Sequence, residues 1–272
     1  MGSVERLAAR LGELGSVLVA FSGGADSAFL LAAAARTLGA DNVVAATAVS
    51  ASLPATELEA ARALAASLGV RHVTPTTDEM SREGYRANGA DRCFFCKAEL
   101  LDVLGPLAER YGLAHVATGT NADDAVAGFR PGIRAAAERG AITPLLDAGL
   151  TKAEIRAISR EWQLPTWDKP AAACLSSRIA YGIEVSPYRL SRVERAEADL
   201  RAALRAAGLE VTDLRVRDVG DVARVEVDRD LVGVVAGRPD LLAAVTGFET
   251  VELDPRGFRS GSMNEALAGR RE

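Results

Sequence analysis

Residues 16–30 read SVLVAFSGGADSAFL: an apolar strand, the turn Ser22-Gly23-Gly24-Ala25-Asp26-Ser27, and a helix that starts without a break. No other stretch constrains the fold as much. Gly23 and Gly24 lack a Cβ, so the backbone can turn tightly and approach a ligand closely. The following helix aims its unpaired N–H groups and positive dipole end back into the turn, and the Ser22 and Ser27 hydroxyls add donors. Such a nest suits phosphate. It is not a Walker A loop, because the G-x-x-x-x-G-K-S/T spacing and its lysine are missing. Asp26 would repel an anion unless a Mg²⁺ lies between them. A lysine-free loop with a metal-recruiting carboxylate fits a pyrophosphate leaving group better than the handing on of a γ-phosphoryl. An ordinary Gly-Gly turn is the bland alternative, and the register of strand, S-G-G-x-D-S and helix weighs against it.

The stretch up to residue 185 alternates strand and helix, the pattern of an α/β fold: a parallel sheet with helices on both faces. Strands are expected at 18–21, 42–49, 71–74 and 115–118, with helices at 28–38, 54–68 and 97–111. The fourth strand runs into Gly119-Thr120-Asn121-Ala122-Asp123-Asp124. Ligands bind beyond the carboxyl ends of strands in an open parallel sheet, so this loop should face the same crevice as the phosphate turn. Thr151-Lys152-Ala153-Glu154 spells a capping box that opens a helix to about Trp162. From residue 186 to 272 the pattern becomes αββαβ, a small second α+β domain for substrate binding or oligomerisation. It starts with a long charged helix and reads DLVGVVAGRPDLLAAV as its second one. Arg215, Arg217 and Arg224 alternate along its strands and so share one face.

The chain has 272 residues and a formal net charge of −5, which argues against a general polyanion binder. No apolar run reaches membrane-spanning length, and the amphipathic, mixed-charge start does not read as a signal peptide. A cytoplasmic location without membrane or nucleic-acid partners is expected. The two histidines, His72 and His115, lie at strand starts and read as structural, which excludes a His-rich metal site.

Three cysteines remain: Cys93 and Cys96 in DRCFFCKAEL, and Cys174 in KPAAACLSSRIAYG. In a cytosolic chain a C-x-x-C points to metal or redox chemistry rather than to a structural disulfide. A structural zinc takes four protein ligands, so three thiolates leave one position open, as at a catalytic metal. A 4Fe-4S cluster with one iron open to an external ligand fits equally. Three unrelated buried thiols also fit, because spacing alone does not bring Cys174 to the pair.

The phosphate turn resembles that of the PP-loop ATP pyrophosphatases (the adenine nucleotide alpha-hydrolase-like fold). They adenylate a substrate oxygen, release pyrophosphate and let nitrogen or sulfur displace AMP. The resemblance implies ATP and Mg²⁺ at Ser22, Gly23, Gly24, Asp26, Ser27, Gly119, Asn121 and Asp124, with Asp26 catalytic. R-C-x-x-C-K, T-G-T-N-A-D-D, K-P-A-A-A-C-L-S-S-R, L-R-V-R-D-V-G-D-V-A-R-V-E-V and G-F-R-S-G-S-M-N together resemble one branch over nearly the whole chain. That branch is the LarE-type ATP-dependent pyridinium-3,5-biscarboxylic acid mononucleotide sulfurtransferases, which serve assembly of the nickel-pincer cofactor of lactate racemase. The family implies a homo-oligomer acting on a small carboxylated mononucleotide. One family version sacrifices the sulfur of a single cysteine at the place of Cys174. The other holds a 4Fe-4S cluster on three cysteines, and by pattern this chain belongs with it, Cys93, Cys96 and Cys174 being the ligands. Arginine forks onto planar anions better than lysine. Arg178, Arg215, Arg217 and Arg259, with Ser177, are therefore assigned to the substrate's carboxylates and phosphate. Arg130, Arg134 and Arg139 receive no role. A PP-loop tRNA thiolase with a similar cluster is the alternative, but its basic RNA-binding face or zinc-ribbon cysteines are not visible.

Overall fold

The computed structural model describes residues 2–126, 130–170, 173–259 and 261–264. Ala171, Ala172 and Ser260, which belong to two of the motifs above, lie outside the described residues. The chain divides into two compact units, Met1–Arg82 with Asp91–Ala172, and Glu83–Ala90 with Ala173–Glu272. No helix among the described residues is long and apolar enough to cross a membrane. Helices of eight residues or more are numbered below.

The first unit is built on β1 (Val17–Ala20), whose residues are all buried. It pairs in parallel with β2 (Val43–Ala46) and β4 (Val116–Ala117), and β2 pairs with β3 (Arg71–Val73). The order is β3-β2-β1-β4. Side chains alternate across a strand, and here both faces are covered, which is why the strands read as continuous apolar runs. Val17, Val19, Val43 and Ala45 pack on α1 (Ser3–Leu14), α2 (Ala25–Leu38), α3 (Ala55–Ser67) and α6 (Lys152–Glu161). Leu18, Ala20, Val44 and Ala46 pack instead on Leu104, Leu107 and Ala108 of α4 (Arg92–Arg110). Helices therefore flank both faces, as expected. Ala28 to Ala34 of α2 are all buried. A helix apolar on every side can only sit inside the layer, and each fully buried Leu there contributes about 1.5–3 kcal/mol.

The largest boundary differences from the sequence reading lie in α2, which starts at Ala25 rather than at residue 28, in β2 and in α4. Strand β2 ends at Ala46, and only an isolated bridge between Val49 and Thr76 continues the pairing. Helix α4 starts at Arg92 rather than at residue 97, so Cys93 and Cys96 fall one turn apart on one helical face. Phe and Cys have poor helix propensity, and this hid the first turn. α5 (Pro131–Glu138) lies against α4, the Cβ position of Gly132 being 3.5 Å from the Cys93 carbonyl.

In the second unit β5 (Leu214–Val219) and β6 (Val222–Val227) are antiparallel, and β7 (Thr250–Leu253) pairs in parallel with β6. Leu214, Val216, Ala223, Val225 and Val227 face Ala196, Leu200 and Leu204 of α7 (Pro187–Ala206). The register sets Arg217 opposite Arg224 and Arg215 opposite Glu226, so the three arginines do share the face away from α7. The second helix of the αββαβ reading is instead two short pieces, Val232–Ala236 and Pro239–Leu242. Pro239 lacks an N–H and clashes with the preceding turn, and Arg238 before it takes φ −130°, ψ 74°.

Candidate active site

A cavity of about 410 Å³ opens in the first unit beyond the carboxyl ends of β1, β2 and β4. Ser22, Gly24, Asp26 and Ser27 line one side, Gly119, Thr120 and Asp124 another, and Thr47, Ala48 and Leu53 a third. The Gly23–Gly24 turn and the loop after the fourth strand thus share one cavity, at the edge where parallel sheets hold ligands.

The turn is shaped by its glycines and serines. Gly23 has φ +72°, and a Cβ there would touch Ala61 of α3 at 3.4 Å. Gly24 caps α2, and the Ser27 hydroxyl donates to its carbonyl at 3.2 Å. The two serine hydroxyls lie 3.1 Å apart. The Gly24 N–H has only a 3.5 Å contact with Ser22 Oγ, the outer limit of a hydrogen bond. Gly119 works by what it lacks, since a Cβ there would stand 2.9 Å from the Ser27 nitrogen and 3.1 Å from the Asp26 carbonyl carbon. Gly119→Ala must push backbone against backbone. We expect it to lower unfolding stability by about 1–3 kcal/mol, the usual range for overpacking. Urea denaturation checks this, and an unchanged midpoint would mean that the turn has room to give.

Asp26 lies in the first turn of α2. Its Oδ1 is buried without a hydrogen-bond partner. Burial holds its pKa above the ordinary carboxylate value; Asp124 adds to the rise, while Lys152, Arg156 and a hydrogen bond from Asn121 oppose it. Asn121 joins the two acids: it bonds Asp26, and its Oδ1 accepts from the Asp124 N–H at 3.1 Å. An orphaned carboxylate oxygen beside a second carboxylate fits Mg²⁺, which takes one or two protein carboxylates plus substrate phosphates.

Four cations line the cavity: Lys97, Lys152, Arg156 and Lys169. Arg156 donates to the carbonyls of Trp167 and Lys169 at 3.0 and 2.7 Å. Lys152 lies within the Thr151–Glu154 capping box that T-K-A-E predicts, as the first residue of the helix, and its N–H bonds Asp123 at 2.7 Å. Its ammonium makes no hydrogen bond or ion pair among the described residues. Burial pushes the Lys97 ammonium below its ordinary pKa, against the pull of Cys96 and Cys93. The sequence reading gave none of these cations a role. The only available signal was the position of Lys97 in R-C-x-x-C-K and of Lys169 before Pro170. His72 is structural: it donates to Thr47 Oγ1 at 2.8 Å, whose hydroxyl bonds the Phe21 carbonyl where the turn begins.

Cys93 and Cys96 belong to the first unit and Cys174 to the second, and none of them is in a disulfide. Within each unit, among the described residues, no three His, Cys, Asp or Glu side chains gather as a metal site. Cys174 begins the tight turn Leu175–Arg178, and its Sγ lies 2.9 Å from Ser176 Oγ. Its carbonyl accepts from the Ser177 hydroxyl at 2.7 Å and from Arg178 Nη1 at 3.1 Å. Arg178 also bonds the Ala173 carbonyl and forks onto Glu197 at 2.9 and 3.1 Å. Arg217 forks onto Glu226 at 3.0 and 2.6 Å and reaches the Ser177 carbonyl at 3.3 Å and Ser262 Oγ at 3.2 Å. Burial, then the neighbouring Arg178, holds the Arg215 guanidinium below its ordinary pKa. The second unit thus brings Ser177, Arg178, Arg215 and Arg217 together around two glutamates. Arg259 pairs with Asp254 at 3.7 Å, and its carbonyl accepts from the Ser262 N–H, the residue whose hydroxyl meets Arg217. Of the arginines without a role, Arg130 pairs with Asp124 at 3.6 Å and Arg139 with Asp102 at 2.7 Å, while Arg134 covers the Phe94 ring.

A four-strand, all-parallel sheet flanked by helices, with its cavity at the carboxyl edge, defines an α/β protein of Rossmann type. No family model matches the chain. An uncharacterized protein of Synechocystis sp. is 42% identical over 269 residues, 97% of each chain. The pyridinium-3,5-bisthiocarboxylic acid mononucleotide synthase of Lactiplantibacillus plantarum is 35% identical over 264 residues, 96% of this chain and 93% of that one. An uncharacterized protein of Methanocaldococcus jannaschii is 29% identical over 175 residues, 64% of this chain and 66% of its own. The chain belongs to the family of the pyridinium-3,5-bisthiocarboxylic acid mononucleotide synthase.

Proposed function

We propose that this chain is an ATP-dependent sulfurtransferase that converts a carboxylate of pyridinium-3,5-biscarboxylic acid mononucleotide to a thiocarboxylate, in the biosynthesis of a nickel-pincer nucleotide cofactor. The 35% identity to the named synthase over 96% of the chain carries the substrate class. The cavity with its glycine turn and orphaned Asp26 supports the use of ATP.

In this reading the β- and γ-phosphates of ATP lie on the turn, and Asp26 and Asp124 would hold Mg²⁺, which would screen the phosphate charge. A substrate carboxylate oxygen attacks the α-phosphorus, the bond to the β-phosphate oxygen breaks, and pyrophosphate leaves. Lys152, whose ammonium is unpaired among the described residues, offers charge to that leaving group. A sulfur nucleophile then attacks the acyl carbon and expels AMP. Arg178, Arg215, Arg217 and Arg259, with Ser177, bind the substrate's anionic groups. Three guanidiniums around Glu197 and Glu226 leave one positive charge in excess, and a phosphate would offset the repulsion from Arg178 that adds to burial in lowering the Arg215 pKa. Soft thiolates one turn apart at Cys93 and Cys96, with Cys174 as third, are a donor set that suits an iron–sulfur cluster. A 4Fe-4S cluster bound there would supply sulfide to the reaction.

Anaerobic protein given ATP, Mg²⁺ and the pyridinium biscarboxylate mononucleotide should release AMP and pyrophosphate in equal amounts and only when that substrate is present. Product mass should show oxygen replaced by sulfur. Release stimulated by tRNA instead, or no release at all, would overturn the reading.

A further inference from the structure

The phosphate-binding turn has no lysine of its own, yet an ammonium reaches it from 146 residues along the chain. Lys169 Nζ donates to the Gly23 carbonyl at 3.0 Å and to Glu57 Oε2 at 2.6 Å. Both side chains are largely buried, 21% and 24% exposed. Glu57 lies in the first turn of α3, the helix whose Ala61 backs Gly23. Arg156 of α6 holds the main chain of Lys169 through its carbonyl. The ammonium is therefore fixed from both ends, on the carbonyl side of the turn.

A nest binds an anion with N–H groups, and a carbonyl turned toward the same anion repels it. The peptide between Gly23 and Gly24 has its carbonyl at one end and the Gly24 N–H at the other. Neither glycine has a side chain to set the plane of that peptide. A cation on the carbonyl sets the plane and polarises the N–H, since linked hydrogen bonds strengthen one another. The Gly24 N–H has only its 3.5 Å contact with Ser22 Oγ to compete with a ligand.

We infer that Lys169 is a positioning residue for the phosphate-binding turn: its ammonium, held by Glu57, locks the Gly23–Gly24 peptide so that the Gly24 N–H is presented to the anion. It acts through the Gly23 carbonyl and not by contact with the reacting atoms. The inference rests on the pyrophosphate-forming reading above.

The test uses the full-length protein, with Lys169→Met, Lys169→Arg and Glu57→Gln. Its probes are magnesium pyrophosphate and AMP by calorimetry, and hydrogen exchange of the 21–28 segment without ligand. Loss of one charge-assisted hydrogen bond predicts that Lys169→Met weakens magnesium pyrophosphate binding by about 10- to 100-fold. AMP binding should stay unchanged, and exchange in the turn should accelerate. Lys169→Arg should restore most of both, and Glu57→Gln should move both in the same direction by less. Wild-type exchange in the Lys169→Met protein overturns the inference. So does lost pyrophosphate affinity with unchanged exchange, which would make Lys169 a direct contact. If the wild type binds neither ATP nor magnesium pyrophosphate, the pyrophosphate-forming reading falls, and the exchange comparison still decides whether Lys169 locks the turn.

Discussion

Asp26→Ala is expected to cut ATP-dependent pyrophosphate release by on the order of 100- to 1,000-fold, the typical loss when one preorganised charge stabiliser is removed. ATP binding should change far less, because the Gly23-Gly24 turn persists. The buried, unpartnered Oδ1 motivates this, since in the folded chain it has no function that hydrogen bonding explains. The same burial raises the folded pKa of Asp26 above its unfolded value. Its contribution to stability is then complete below the unfolded pKa, and it is lost as pH rises through the folded one. At neutral pH the ionised carboxylate opposes folding until a cation relieves it. Asp26→Asn should therefore unfold no more easily than wild type in chelator, and Mg²⁺ should raise the melting temperature of wild type but not of the variant. Near-wild-type pyrophosphate release by Asp26→Ala would remove Asp26 from the reaction, and a metal response retained by Asp26→Asn would remove it from the metal site.

Replacing any one of Cys93, Cys96 and Cys174 by alanine is expected to abolish repeated sulfur transfer. The reason is donor count: the chain has three cysteines in all, and its two histidines lie at strand starts, His72 bonded to Thr47. Losing one thiolate leaves too few ligands for a cluster. If Cys174 instead sacrificed its own sulfur, Cys93→Ala and Cys96→Ala would keep activity and each chain would turn over once. The sacrificed chain would also be lighter by roughly the mass of H₂S, with dehydroalanine at position 174, the product of eliminating the sulfur from cysteine. Intact mass spectrometry after reaction on anaerobically reconstituted protein separates the two. Dehydroalanine at 174 together with active Cys93→Ala would eliminate the cluster.

Much of the fold was written locally. A strand apolar on both faces and a helix apolar on every side can belong only to a covered parallel sheet, and VLVA and AFLLAAAA say so without help. T-K-A-E set its helix start because a capping box is closed by residues three apart. Less legible was the beginning of α4: Arg92-Cys93-Phe94-Phe95 has weak helical propensity, and α5 packs against that turn. The break at Arg238-Pro239 was there to be read, and the apolar periodicity around it obscured it.

The sequence by itself determined the shape of the Gly23–Gly24 turn, because a positive φ at Gly23 and a helix that follows without a break are decided by the residues that adopt them. It also determined the supply of thiols and the shared face of Arg215, Arg217 and Arg224. Only the tertiary structure decided the charge state and freedom of those groups. Arg178 is forked onto Glu197, Arg217 is paired with Glu226 and Lys169 with Glu57, whereas Asp26 keeps a buried oxygen with no partner. Local conformation depends on neighbours in the chain. Desolvation and ion pairing depend on neighbours in space, which in the Lys169–Glu57 pair lie 112 residues apart.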